Sequence, residues 1–84
     1  MNISFHKNAF EEYIFFQKND KKIANKINAL LHNMMREPFT GLGKPEPLKH
    51  NLTGFWSRRI NNEHRIVYTV EKDTLYILQC KYHY

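Results

Sequence analysis

The spacing of apolar residues changes once along this chain of 84 residues, at the segment 38–47. Before it, apolar side chains recur every three or four residues, as in amphipathic helices, whereas after it they alternate with polar residues, as in strands. The segment itself, PFTGLGKPEP, combines Gly41 and Gly43 with proline residues, which predicts a loop of restricted backbone freedom. Helices followed by an antiparallel sheet predict an α+β fold.

A short strand and two helices are predicted before the loop. Ile3–Phe5 alternates with polar neighbours and predicts a first strand. Asn8, with Glu11 three residues later, predicts the N-cap of a first helix that ends near Asn19. Asp20 is predicted to cap a second helix, antiparallel to the first, which has an apolar stripe at Ile23, Ile27, Leu30, Leu31, Met34 and Met35.

Three strands are predicted after the loop. They cover Leu48–Ile60, bent at Thr53-Gly54, then His64–Val70 and Thr74–Tyr82, with short polar turns at 61–63 and 71–73. We therefore expect one domain over residues 1–84, in which the two helices pack on a twisted antiparallel sheet.

The net charge indicates an acidic partner. Lys and Arg number 13 against 8 Asp and Glu, a formal charge of +5, which suits nucleic acid, an anionic membrane surface or an acidic protein. We expect a cytoplasmic protein, because the chain has no signal-peptide pattern or membrane-length apolar run and only one cysteine, Cys80. The five histidines have no metal-ligand spacing, so no metal or cofactor is expected.

Strand alternation predicts which residues share a sheet face. A turn centred on Asn62 sets Arg59 opposite Arg65. An odd-residue turn centred on Lys72 places the apolar set of the last strand in the core, namely Tyr76, Leu78, Cys80 and Tyr82. The opposite face then bears Gln79 and a cationic group of Arg59, Arg65, Lys81 and His83. A two-residue turn at either hairpin would scatter this set.

This cationic face suggests chemistry on a phosphate. Like charges opposite each other are destabilising unless an anion lies between them. Glu46, in a stiff Pro-Glu-Pro sequence, suits a general base and His83 a general acid, while Arg59 and Arg65 suit a phosphate clamp. Such a set can cleave RNA without a metal. Taken singly, Glu46 also fits a solvated loop residue, and His83 an exposed residue near the chain end.

Three blocks of sequence carry a family resemblance. GLGKPEPLKHNLTGFWSRRI at 41–60, EHRIVY at 63–68 and KYHY at 81–84 closely resemble the YoeB-type toxins of the RelE/ParE superfamily. The resemblance implies a microbial-ribonuclease-like α+β fold and an mRNA interferase that acts in the ribosomal A site and leaves cyclic 2′,3′-phosphate ends. It also implies a homodimer and a YefM/Phd-type antitoxin that covers the cleft.

The resemblance assigns roles to individual residues. By it, Glu46 is the general base, His83 the general acid and Arg65 the phosphate-stabilising arginine, with Arg59 and Tyr84 in support. Tyr84 could also stack on an unstacked base. The basic residues expected to contact RNA around this site are Lys44, Lys49 and Lys81.

Two other functions remain open at this point. One is a gyrase-poisoning toxin on the same superfamily fold, which the combination of Glu46, Arg65 and His83 disfavours. The other is a non-catalytic RNA-binding module whose cationic face only grips phosphates and whose affinity falls steeply with salt.

Overall fold

The computed structural model describes residues 1–82. Two helices and a sheet are the main elements: β1 (Asn2–Phe5), α1 (Lys7–Asn19), α2 (Lys21–Arg36), β2 (Glu46–Pro47), a 3₁₀ turn (His50–Leu52), β3 (Trp56–Arg59), β4 (Arg65–Glu71) and β5 (Thr74–Gln79). The described strands form one sheet in the order β1-β5-β4-β3-β2. The predicted α+β class is confirmed.

One edge of the sheet differs from the antiparallel prediction. β1 runs parallel to β5, with Asn2 beside Thr74 and Phe5 beside Ile77, whereas the pairs β2–β3, β3–β4 and β4–β5 are antiparallel. The local pattern of a four-residue strand does not specify its partner, which here lies about 70 residues away in sequence.

The helix boundaries follow local capping chemistry. Asp20 caps α2 as predicted, because its Oδ1 accepts a hydrogen bond of 3.1 Å from the N–H of Ile23. The predicted cap at Asn8 is wrong: α1 begins at Lys7, and Nδ1 of His6 accepts from the N–H of Asn8 at 3.2 Å. Since β1 ends at Phe5, only His6 separates strand from helix and takes the cap position.

The core lies between the helices and one face of the sheet. Ile27, Leu30 and Met34 of α2 are fully buried, and they share a cluster with Ile66 and Tyr68 of β4. The apolar stripe of α2 thus packs in the core as its spacing predicts, except for Met35, which is 38% exposed. No helix within residues 1–82 is both long enough and apolar enough to cross a membrane.

The β4–β5 hairpin corrects the predicted register. Glu71 pairs with Thr74, so the turn contains two residues, Lys72 and Asp73, and Lys72 has φ +56°. Leu75 and Ile77 therefore face the core, whereas Tyr76 is 41% exposed. The predicted odd-residue turn, and with it the predicted core positions of Tyr76 and Leu78, are wrong. The predicted core position of Tyr82 is also wrong, because Tyr82 lies beyond the end of β5 and is 56% exposed.

A β-bulge in the same hairpin shifts the alternation back. Tyr68 pairs with Ile77 but Val67 pairs with Gln79, so Leu78 is the extra residue of β5. Gln79 thereby faces the same side as Val67, and Cys80 enters the core with 1% exposure. The predicted face of Gln79 and the predicted burial of Cys80 are confirmed, because the bulge compensates for the shorter turn.

The strand predicted over Leu48–Ile60 is shorter than expected. Residues 50–52 form the 3₁₀ turn, and only Trp56–Arg59 is a strand. Conversely, Glu46 does not lie in the predicted loop but on β2, where it pairs with Ser57 while Pro47 pairs with Trp56. Glu46 is therefore positioned by the sheet.

Candidate active site

Strand register brings the predicted base and the predicted phosphate clamp onto one open sheet face. Arg59 and Arg65 are direct cross-strand partners. The neighbouring row on the same face runs across the sheet through Glu46, Ser57, Val67 and Gln79. The predicted position of Arg59 opposite Arg65 is thus confirmed. Glu46, which was predicted in a loop, lies on the same face through its pairing with Ser57, and the chemical roles of all three residues remain predictions.

Glu46 and Arg65 lie on this face two strands apart. Standard sheet spacings put the Cα atoms of Glu46 and Arg65 about 12 Å apart. Because both side chains extend over the face, the distance from carboxylate to guanidinium can be shorter than this. Ser57 and Val67, between them, are each 1% exposed, so they form a closed floor beneath the exposed Glu46 and Arg59.

The β3–β4 turn orients the guanidinium of Arg65. Its Nη1 donates to the carbonyl oxygen of Asn61 at 2.7 Å and to that of His64 at 3.1 Å. Asn61 shapes this turn, because its Oδ1 accepts from the N–H groups of Glu63 and His64. The two carbonyl oxygens partly offset the positive charge of Arg65, which reduces its repulsion from Arg59. The Nε and Nη2 groups of Arg65 can then donate to an anion.

A tight glycine position brings the loop to the sheet just before Glu46. The N–H of Arg59 donates to the carbonyl oxygen of Gly43 at 2.7 Å. Gly43 has φ +79°, and a Cβ there would lie 2.8 Å from Cδ2 of Leu30 and 3.0 Å from the carbonyl oxygen of Arg59. Only glycine fits this close approach, so Gly43 fixes the distance from the loop to β3.

Basic residues flank Glu46 on both sides. Lys44 and Lys49 are exposed, as expected for groups that meet RNA. A concavity of about 350 Å³ is lined by Glu46, Lys49 and His50 together with Pro47, Leu48, Asn51 and Leu52. His50 lines this concavity although it was not predicted as a site residue; it directly follows Lys49, which was.

Lys81 departs from the predicted face. Its Nζ lies 4.0 Å from the ring centroid of Phe15 on α1 and 5.2 Å from that of Tyr82. Strand alternation does not apply to Lys81, because β5 ends at Gln79 and Tyr82 has φ +64°. The predicted position of Lys81 beside Arg65 is thus replaced by a cation–π contact with α1. His83 and Tyr84 lie outside the described residues.

Sequence reasoning also missed Arg58, which is fully buried beside the exposed Arg59. Its guanidinium donates to the hydroxyl of Tyr68, to Oδ1 of Asn33 and to the carbonyl oxygens of Glu37, Thr40 and Leu42. Burial raises the pKa of Tyr68, and Arg58 opposes part of that rise. Strand alternation could have predicted this burial, because it puts Arg58 on the core face of β3 together with Trp56.

Two other kinds of chemistry find no support in the described region. Within residues 1–82, no group of three His, Cys, Asp or Glu side chains is placed to hold a metal ion. Burial raises the pKa of the Cys80 thiol to about 12, with a further contribution from Glu12, so it is no nucleophile at neutral pH.

Comparison with known proteins decides the family. The model of the YoeB-like toxin of bacterial type II toxin–antitoxin systems matches residues 5–84. The chain belongs to this family. Toxin YoeB of Escherichia coli strain K12 is 52% identical over 84 residues, which is the full length of both chains.

Solved structures of YoeB toxins agree with the fold. The YoeB/ParE toxin of Agrobacterium tumefaciens is 45% identical and superimposes with a TM-score of 0.97 over all of both chains. YoeB of Staphylococcus aureus, solved as a dimer and as a heterotetrameric YoeB–YefM complex, is 56% identical, with a TM-score of 0.92 over 100% of this chain and 98% of that one. The similarity to these YoeB toxins thus covers the whole chain.

Proposed function

We propose that this YoeB-family toxin is a ribosome-dependent endoribonuclease that cleaves mRNA in the ribosomal A site and thereby inhibits translation. The observation that carries the proposal is the open sheet face, where Glu46 lies one row from the Arg59–Arg65 pair. A carboxylate beside paired guanidinium groups supplies a base and a phosphate clamp without a metal ion.

The proposed reaction is an internal transfer at phosphorus. Glu46 takes the proton of a ribose 2′-OH, and the 2′ oxygen attacks the adjacent phosphorus. The bond from phosphorus to the 5′ oxygen of the next nucleotide breaks, and His83 gives that oxygen a proton. The products are a 2′,3′-cyclic phosphate and a 5′-hydroxyl, and Arg65 and Arg59 stabilise the charge that builds on the phosphate oxygens.

Charge outside the reacting groups supports binding to the ribosome and its mRNA. Lys44 and Lys49 extend the positive potential along the cleft, with Lys81 nearer α1, and Tyr84 is proposed to stack on a base. On α2, Lys21, Lys22 and Lys26 form a separate exposed face that can attract ribosomal RNA.

The test is mRNA cleavage in a translation extract. The purified protein should cut mRNA within codons only when ribosomes are present, with cut sites mapped by primer extension. Glu46→Gln and His83→Gln should each slow cutting by about 100-fold or more. Matched controls at exposed positions away from the cleft, Glu71→Gln and His32→Gln, should cut at the wild-type rate.

Each contrary outcome identifies a different function. Continued cutting by both Glu46→Gln and His83→Gln would contradict the assigned roles. Intact mRNA combined with loss of gyrase supercoiling would identify the gyrase-poisoning alternative. Salt-sensitive RNA binding that leaves RNA intact, with or without ribosomes, would identify a binding module.

We also propose that this chain forms a homodimer and is neutralised by a YefM/Phd-type antitoxin. Support comes from the solved dimer and YoeB–YefM complex of the 56% identical S. aureus toxin. An acidic antitoxin segment would compete with mRNA for Arg59, Arg65 and Lys49. Charge reversal at Lys49 should therefore weaken antitoxin binding, measured by calorimetry, whereas Lys72→Glu at the far hairpin turn should not.

A further inference from the structure

His64 joins helix α1 to the chain segment that follows β5. The residue is 5% exposed, and its ring centroid lies 5.1 Å from that of Phe16 and 5.5 Å from that of Tyr82. The proposed reaction does not use this imidazole. Its burial close to Arg65 and to the end of the chain calls for an explanation.

The imidazole of His64 also accepts a directed hydrogen bond. The backbone N–H of Tyr82 donates to its Nδ1 at 2.7 Å. A ring nitrogen accepts only when it carries no hydrogen, so the ring proton belongs on Nε2, which lies 3.5 Å from Oε1 of Glu63. The geometry thus requires the neutral tautomer with hydrogen on Nε2.

Tyr82 is held by two consecutive residues of the β3–β4 connection. His64 accepts from its N–H, and the N–H of Arg65 donates to its carbonyl oxygen at 3.1 Å. Tyr82 has φ +64°, which an aromatic residue seldom adopts because its Cβ crowds the backbone. Since β5 ends at Gln79, contacts outside the regular strand must stabilise this conformation.

We propose that His64 is a positioning residue whose Nδ1 restrains the backbone of Tyr82, the residue that directly precedes the proposed general acid His83 in the sequence. This inference rests on the proposed function. Loss of this restraint should therefore change catalysis more than it changes the stability of the fold. Arg65, the proposed phosphate ligand, binds the carbonyl oxygen of the same residue, so Tyr82 is restrained directly against the proposed phosphate site.

Simple packing is the competing explanation, and two substitutions separate it from positioning. His64→Phe keeps an aromatic ring against Phe16 and Tyr82 but removes the acceptor. His64→Asn loses ring contacts but offers an amide oxygen near the place of Nδ1. If His64 acts only by packing, His64→Phe will cleave mRNA faster than His64→Asn. If His64 acts by positioning Tyr82, His64→Asn will cleave faster than His64→Phe.

The decisive measurement compares rate with stability. On ribosomes programmed with mRNA, we expect His64→Phe to lower kcat by about 10- to 100-fold, as for a misplaced reacting group, with little change in KM. His64→Asn should recover much of kcat although its Tm is lower than that of His64→Phe. The proposal is wrong if kcat follows the order of Tm, or if His64→Phe cuts at the wild-type rate.

Hydrogen exchange at the Tyr82 amide tests the restraint without any cleavage assay. NMR should show slow exchange of this amide in the wild type and in His64→Asn, and fast exchange in His64→Phe. Unchanged exchange in His64→Phe would overturn the inference. If the wild-type protein does not cut mRNA, the proposed function fails, and the exchange rates still decide whether His64 restrains Tyr82.

Discussion

The two sides of the candidate site are held in different ways. The base side, residues 37–46, carries Glu46. It is held by the pairing of β2 with β3, by the hydrogen bond from Arg59 to Gly43 and by the buried guanidinium of Arg58. The C-terminal side, residues 80–82, follows the last strand, β5. Its contacts include the bonds of Tyr82 with His64 and Arg65, and the bond from the Cys80 N–H to the Glu12 carboxylate.

This contrast separates folding from catalysis. The supports of the base side lie in the core, because Arg58 is fully buried and Tyr68 joins it in the same hydrogen-bond network. Loss of such a support leaves partly buried carbonyl acceptors without their donor, which costs stability. On the C-terminal side Cys80 is also buried, but Tyr82 is 56% exposed and lies beyond the end of β5. Changes that affect Tyr82 should therefore reduce activity before they reduce stability.

The largest effect is expected at Arg58. Arg58→Met keeps an apolar stem but leaves the carbonyl oxygens of Glu37, Thr40 and Leu42 without their donor. We expect the free energy of unfolding, measured with urea, to fall by about 4 kcal/mol. Arg58→Lys, with fewer donors and no planar fork, should cost about half as much.

Arg59 provides the matched control for this prediction. It is the next residue, carries the same charge and is exposed. Arg59→Met should change stability by no more than about 0.5 kcal/mol, although it should slow cleavage. If Arg58→Met and Arg59→Met lower the free energy of unfolding equally, the buried hydrogen bonds of Arg58 do not stabilise the base side.

Local patterns predicted the elements better than their pairing. The stripe of α2 and the cap at Asp20 follow from sequence, because both depend on residues within one or two turns. The parallel pairing of β1 and the bulge at Leu78 depend on contacts between distant segments. Neither leaves a local signal, and the turn at Lys72-Asp73 was predicted one residue too long.

The site was predicted as far as strand alternation holds. Arg59 and Arg65 lie opposite each other because the turn around Asn62 has the predicted length. The prediction for Lys81 is wrong because regular alternation ends with β5. Arg58 and His64 were missed because their role is to bind backbone groups of other segments, which a motif does not reveal.

A smaller loss of stability is expected for Gly43→Ala on the base side. The added methyl group would meet Leu30 and the carbonyl oxygen of Arg59, and alanine disfavours φ +79°. We expect a loss of about 2–3 kcal/mol by urea unfolding. Gly54→Ala is the control, because Gly54 has φ +98° but open space around a Cβ, and it should lose only about 1 kcal/mol.

The smallest effect at neutral pH is expected for Cys80 on the C-terminal side. Cys80→Ser keeps a donor near the carbonyl oxygen of Ala9, which lies 3.5 Å from Sγ, and removes a group that titrates at alkaline pH. Burial raises the pKa of this thiol from 9.0 to about 12. The thiol therefore stays protonated in the folded protein at a pH at which it ionises in the unfolded chain.

The direction of the pH dependence follows from this difference. Well below pH 9 both states hold the proton, and Cys80 adds no pH dependence. Between pH 9 and 12 the unfolded state releases the proton while the folded state keeps it, and stability falls by up to about 1.4 kcal/mol per pH unit. Urea midpoints at pH 7, 9 and 10.5 should therefore fall more steeply for wild type than for Cys80→Ser. Tyr68, whose pKa is also raised, is present in both proteins and cancels from the comparison. If the urea midpoints of wild type and Cys80→Ser fall equally with pH, water reaches the thiol. The C-terminal side would then open more readily than the contacts of Cys80 with Glu12 and Ala9 imply.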